Sequence, residues 1–130
     1  MDRFAIPWFV LALCYGSGLL LVVLGVPLMR RRVAPNWTYG VRLPSTMADE
    51  RVWYEINARG GRDLIIIGAL YMLIQTVVLM FGSTWGAAFQ ILGPIAILVL
   101  ALLVDAIALA IAAGRLLAAT RRGEHPESAS

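Results

Sequence analysis

Two stretches without a single charged side chain decide what this chain can become. One runs from Phe4 to Met29 and the other from Leu64 to Val104. Both exceed the ~18 to 20 apolar residues that cross the ~30 Å hydrocarbon core of a bilayer, so the sequence predicts an all-α integral membrane protein and excludes a soluble enzyme domain. Composition agrees: 60% of the 130 residues are hydrophobic and 15% are charged, against roughly a half and a quarter in soluble domains. About 75 residues then belong in lipid, which leaves room for one sizeable loop and no second folded domain.

As a helix the first stretch would be about 39 Å long, enough to span with some tilt. It is too long for a secretory signal peptide, lacks an A-x-A site, and is followed rather than preceded by its positive charge, Arg30-Arg31-Arg32. Cys14 follows Leu13 rather than a small residue, which argues against lipidation. The second stretch continues past Asp105 to Gly114 and must fold back on itself. Gly82-Ser83-Thr84-Trp85-Gly86 disfavours helix and places an aromatic suited to an interface, so the break is expected there. Pro94 falls early in the last helix and is expected to kink it or shift its first turn. The chain thus reads as one membrane domain over residues 1–130, with spans at about 4–29, 64–82 and 88–115, a motif loop at 30–63 and a disordered tail at 120–130.

Arginine placement gives a direction. Seven arginines lie between residues 30 and 62, Arg115, Arg121 and Arg122 follow the last span, and Arg3 stands alone on the other side. The positive-inside rule then puts the N-terminus outside and the loop and C-terminus in the cytoplasm.

The inventory of reactive groups is short. Cys14 has no partner for an intramolecular disulfide, and the single histidine, His125, lies in the Glu/Pro/Ser-rich tail. No metal site, cofactor or catalytic dyad is expected in the membrane body.

The loop is denser in chemistry than a connector needs. Residues 33–63 hold two prolines, four aromatics, two asparagines and four arginines. Thr46 and Asp49 form a capping-box-like start for a short helix that Gly60-Gly61 is expected to stop. Arg51, Glu55 and Arg59 can pair along its outer face, each pair contributing about 0.2–0.5 kcal/mol. Ala48, Val52 and Ile56, with Trp53 alongside, form an apolar stripe suited to the headgroup boundary or to capping the bundle. Pro35, Gly40 and Pro44 restrict the backbone, so Asn36, Tyr39, Arg42, Thr46 and Asn57 would be held in place. Arg42 can clamp a phosphate or carboxylate through two parallel hydrogen bonds. The competing reading is that these groups satisfy backbone within the loop and that Trp37, Tyr39, Trp53 and Tyr54 form an interfacial belt.

The pattern Pro27-Leu28, then Pro35-Asn36-x-x-Tyr39-Gly40-x-Arg42-x-Pro44-x-Thr46, then Trp53, Asn57, Gly61 and Arg62 resembles the signature of the SdpI family, over about residues 20–80. Val41 stands where an aromatic is expected, and Arg30 to Arg32 make the approach to the motif more basic. The resemblance implies a bacterial cytoplasmic membrane protein that gives immunity to a secreted antimicrobial peptide toxin. It marks these motif residues as the candidate ligand- or partner-binding set.

Asp105 is the one ionisable residue inside an expected span, where a charge costs about 2.5–3.5 kcal/mol. Ten residues, or about 15 Å of helix, separate it from Arg115. Counting the same distance inward lands near Gln75 from Asp63 and near Leu20 from Arg30, with Ser17 less than one turn beyond, so Ser17, Gln75 and Asp105 are expected to share one polar level. That level is either a proton- or ion-responsive site or a buried structural hydrogen bond. Gly16, Ser17 and Gly18, then Gly68 and Ala69, then Ala106, Ala110 and Gly114 are the expected helix contacts, and the last set also admits a homo-oligomer.

Three function classes remain. The family resemblance implies an immunity-type binder that needs no catalysis, with the bilayer, a peptide toxin and anionic headgroups as partners. The alternative is a small transporter or an ion- or lipid-handling protein using Asp105 and Gln75. An enzyme is the weakest reading, because Asp49, Glu50 and Glu55 suit solvation or arginine pairing. Nucleic-acid binding is not expected, since acids offset the loop's arginines.

Overall fold

The computed structural model describes residues 6–82 and 84–123. Four helices follow one another: α1 (Trp8–Met29), α2 (Pro44–Ala48), α3 (Glu50–Phe81) and α4 (Ala87–Arg121). The first, third and fourth are long and apolar enough to cross a membrane, so the protein is a multi-pass membrane protein built on three spans with a short helix between the first two.

Helix α1 starts later than the charge-free stretch does. Ile6 and Pro7 are not helical and Pro7 occupies the N-cap, while Phe4 and Ala5 fall outside the described residues. Its C-terminus is a Schellman turn: the Arg32 N–H donates to the Pro27 carbonyl and the Arg31 N–H to the Leu28 carbonyl, both at 3.0 Å. Arg31 takes the left-handed position, φ 55°, where glycine is usual and another residue costs about 1–2 kcal/mol. Its guanidinium bonds the Glu55 carboxylate at 2.7 Å. Both side chains are exposed, so this pair offsets at most about 1 kcal/mol of that strain.

Helix α3 corrects the expected organisation most. The helix expected to stop at Gly60-Gly61 runs straight through them to Phe81. At 32 residues it is about 48 Å long and unites the loop helix with the second span. Each glycine lowers helix propensity by about 1 kcal/mol, but packing offsets this. A Cβ on Gly61 would lie 2.5 Å from the Met29 nitrogen and 2.6 Å from the Gly25 carbonyl oxygen, so the glycine lets α1 approach. The N-cap also moves: Asp49, not Thr46, accepts the Arg51 N–H at 2.8 Å and the Val52 N–H at 3.2 Å.

Farther along the same crossing, Gly18 faces Gly68, where a Cβ would come 2.6 Å from the Gly18 carbonyl oxygen. The Tyr15 hydroxyl donates to Thr76 Oγ1 at 2.7 Å. Gly16 meets nothing within 4 Å of a built Cβ, and Ser17 is exposed. Of the small residues expected at this contact, Gly18 and Gly68 are the working pair.

The reversal between α3 and α4 falls where expected, around Gly82 to Gly86. It is closed by a residue the sequence reading passed over: Gln90 Nε2 donates to the carbonyls of Gly82 at 2.8 Å and Trp85 at 2.9 Å. Pro94 lies inside α4 and is buried. Helix α4 is 35 residues, about 52 Å, and continues six residues past the expected end at 115. Thr120 and Arg121, placed in the disordered tail by sequence, are helical. Residues 124–130, including His125, fall outside the described residues.

Helix α4 packs on α3 through Leu109 and Ala113 against Val52 and Ile56, with Val41 and Leu43 of the loop added. The apolar stripe of the loop helix therefore caps the bundle interior; Ala48 stays exposed. The expected contact stripe of α4, Ala106, Ala110 and Gly114, is exposed and packs on no other helix, with Ala106 bordering the gap between α1 and α4. Glu55 pairs with Arg31, not with Arg51 or Arg59. Among the described residues α1 and α4 make no close backbone contact with each other, each packing on α3. That arrangement opens a cleft.

Candidate functional site

The motif residues first build the loop that roofs this cleft. Asn36 Oδ1 accepts the N–H groups of Thr38 (2.8 Å) and Tyr39 (2.7 Å), and its Nδ2 donates to the Ala34 carbonyl at 2.8 Å. These bonds turn the chain after Pro35 and aim Tyr39 back at α1, where its hydroxyl donates to the Leu24 carbonyl. Burial pushes the Tyr39 phenol above its ordinary pKa, because the ionised form is disfavoured away from water.

Gly40 has φ +112°, and a Cβ there would lie 2.5 Å from Asn57 Oδ1 and 3.2 Å from the Trp53 ring. That same Asn57 oxygen accepts the Val41 N–H at 2.6 Å, while its Nδ2 donates to the Trp53 carbonyl at 3.0 Å. Trp53 is wholly buried and its indole N–H donates to the Val33 carbonyl at 2.9 Å. Thr46, also buried, accepts the Leu43 N–H at 2.8 Å and places its own hydroxyl hydrogen toward the Val41 carbonyl at 2.8 Å. Pro44 opens α2 at a position where no N–H is needed.

Asn36, Tyr39, Thr46, Trp53 and Asn57 thus spend their polar groups on backbone, and Gly40 and Gly61 make room for it. Pro35, Arg42 and Arg62 remain exposed. Arg62 leans toward Asp63 at 3.6 Å. Arg42 has no hydrogen-bond or ion-pair partner among the described residues, which leaves its guanidinium available to a ligand.

The three residues expected to share a level do not meet. Ser17 donates to the Cys14 carbonyl at 2.8 Å, and Gln75 Nε2 donates to the Gln90 carbonyl at 3.3 Å while its buried Oε1 has no partner among the described residues. Asp105 instead lines one recess with Asp63, at the seam between α3 and α4. Twelve residues of α3, about 18 Å, separate Asp63 from Gln75. The depth count failed because it set Asp63 at the membrane edge and Asp105 well inside, whereas the two helices bring them to the same height.

Asp105 borders the cleft between α1 and α4, a cavity of about 330 Å³. Leu24 and Leu28 form one wall, Leu102, Ala106 and Leu109 the other, and Gly60 and Leu64 the floor; Tyr39, Gly40, Val41 and Leu43 are the roof. Asp105 is its one ionisable residue apart from Tyr39. The family-type loop and the intramembrane acid, separate features in the sequence, meet in this cleft.

The family profile of the SdpI/YfhL proteins matches residues 32–117, about two thirds of the chain. No curated protein and no solved structure matches it.

Proposed function

The chain belongs to the SdpI/YfhL protein family, and from that premise we propose that it is an immunity-type membrane protein that protects its cell from a secreted antimicrobial peptide by binding it. The observation that carries the reading is the cleft: apolar walls, one acid at its edge and a roof made by the family-type loop suit an apolar peptide segment bearing a basic group. Arg42, exposed on the loop and without an ion-pair partner among the described residues, is suited to a carboxylate of the same peptide. Nothing in this reading requires a bond to be made or broken.

The test is expression in a toxin-sensitive strain challenged with a panel of membrane-active peptides. Protection against at least one peptide, recovered with its mass unchanged, supports the proposal. Unchanged killing across the panel, or recovery of cleaved peptide, overturns it. The recess that Asp105 and Asp63 line together favours a second reading, a small transporter or ion- or lipid-handling protein; uptake or efflux that disappears in Asp105→Asn while the protein still inserts would select it.

We place the protein in the bacterial cytoplasmic membrane with its N-terminus outside and its arginine-rich end in the cytoplasm, following the positive-inside rule. Reporter fusions at residues 45 and 130 are expected to read cytoplasmic, and an external signal from either reverses the orientation.

A further inference from the structure

A second recess lies on the other side of Asp105, along the seam between α3 and α4, and no part of the proposed function uses it. At the arginine-rich end the seam opens into a groove of about 700 Å³. Arg59 projects from α3 and Arg115 from α4, over an apolar bed that includes Ile56, Ile111 and Leu116. Neither arginine has a carboxylate within ion-pair distance among the described residues. The groove's one acid, Glu55, is already held by Arg31 at 2.7 Å. Two guanidinium groups therefore line the groove without an ion pair among the described residues, at the end of a bundle that spans a bilayer.

Inward, the seam continues past Ala108 and the Asp63–Asp105 pair into a recess of about 510 Å³ walled by Ile66, Ile67, Ile97 and Leu100. From Arg115 to Leu100 is about 22 Å of helix, more than the ~15 Å of hydrocarbon in one leaflet. Groove and recess together offer cations at headgroup height and an apolar track below them.

We propose that this seam binds one anionic phospholipid, its phosphate between Arg59 and Arg115 and an acyl chain lying along the recess toward Leu100. The charge pattern selects the ligand. Paired arginines bind phosphate oxygens through parallel charge-assisted hydrogen bonds, and a lipid brings the chain that the apolar track accommodates.

The test is native mass spectrometry of the full chain in detergent, titrated with phosphatidylglycerol or with phosphatidylcholine of the same acyl composition. Wild type is expected to retain phosphatidylglycerol at least about tenfold more than phosphatidylcholine, as two charge-assisted contacts would give. The double variant Arg59→Gln/Arg115→Gln should lose that preference while keeping the wild-type melting temperature. Arg121→Gln/Arg122→Gln, which removes two arginines at the same end but outside the groove, should keep it. Equal loss in both double variants would mean a diffuse basic surface and overturn the proposal. So would full retention by Arg59→Gln/Arg115→Gln. Displacement of the lipid by millimolar inorganic phosphate would assign the groove to a free anion and overturn the proposal. If the double variant does not fold, Ala101→Trp, which fills the recess and leaves both arginines, should weaken retention of long-chain phosphatidylglycerol; unchanged retention overturns the proposal equally.

Discussion

Gly40 carries the tightest steric demand in the motif loop. Its φ of +112° and the 2.5 Å approach of a built Cβ to Asn57 Oδ1 forbid any side chain without rearrangement. Gly40→Ala should destabilise the folded protein by about 2–3 kcal/mol, combining left-handed strain with loss of the Val41–Asn57 bond, read as a lower melting temperature in detergent. Asn57→Ala, which leaves the Val41 N–H without its acceptor, should cost about 1–3 kcal/mol. The pH response follows from Tyr39. Its folded pKa is raised by burial, so the stability it contributes is fully present below the unfolded phenol value near ~10 and is lost as pH rises through the folded value. Trp53 fluorescence should report loop opening in strongly alkaline solution, and Tyr39→Phe should remove that transition. At this scale much was legible: Pro35, Asn36, Gly40, Pro44 and Thr46 announce a restricted loop by residue type alone. That Asn57 and Trp53 hold it from α3 was not, because those partners lie 16 and 20 residues away.

At the scale of elements, the two longest apolar stretches gave three spans, and the reversal at Gly82 to Gly86 followed from composition. The extent of α3 did not, since two adjacent glycines normally read as a stop. They serve a close helix crossing instead, with Gly61 under Gly25 and, two turns on, Gly68 under Gly18. Gly61→Val should therefore separate α1 from α3 and lower the melting temperature sharply. Gly114→Ala, on an open face with nothing within 4 Å of its Cβ, should leave the protein unchanged or stabilise it by up to about 1 kcal/mol. The exposed Ala106–Ala110–Gly114 stripe is the same lesson in reverse: helical spacing of small residues marks a face that a helix could pack on, and here α3 uses Leu109 and Ala113 on the adjoining face.

For the whole molecule, what matters is that α1 and α4 stand apart on α3 and leave a roofed cleft with Asp105 at its edge. Sequence alone found Asp105 and the motif but set them at different depths, because helix register between spans is fixed by packing rather than by distance from the nearest charge. On the proposed function, this cleft holds the toxin peptide. The most direct test is survival of a toxin-challenged strain expressing Ala106→Trp, whose indole would fill the cleft, beside Ala110→Trp, one turn along α4 and not part of the cleft lining, both at wild-type membrane levels. Ala106→Trp is expected to lose protection and Ala110→Trp to keep it; equal protection by both variants would exclude the cleft as the binding site.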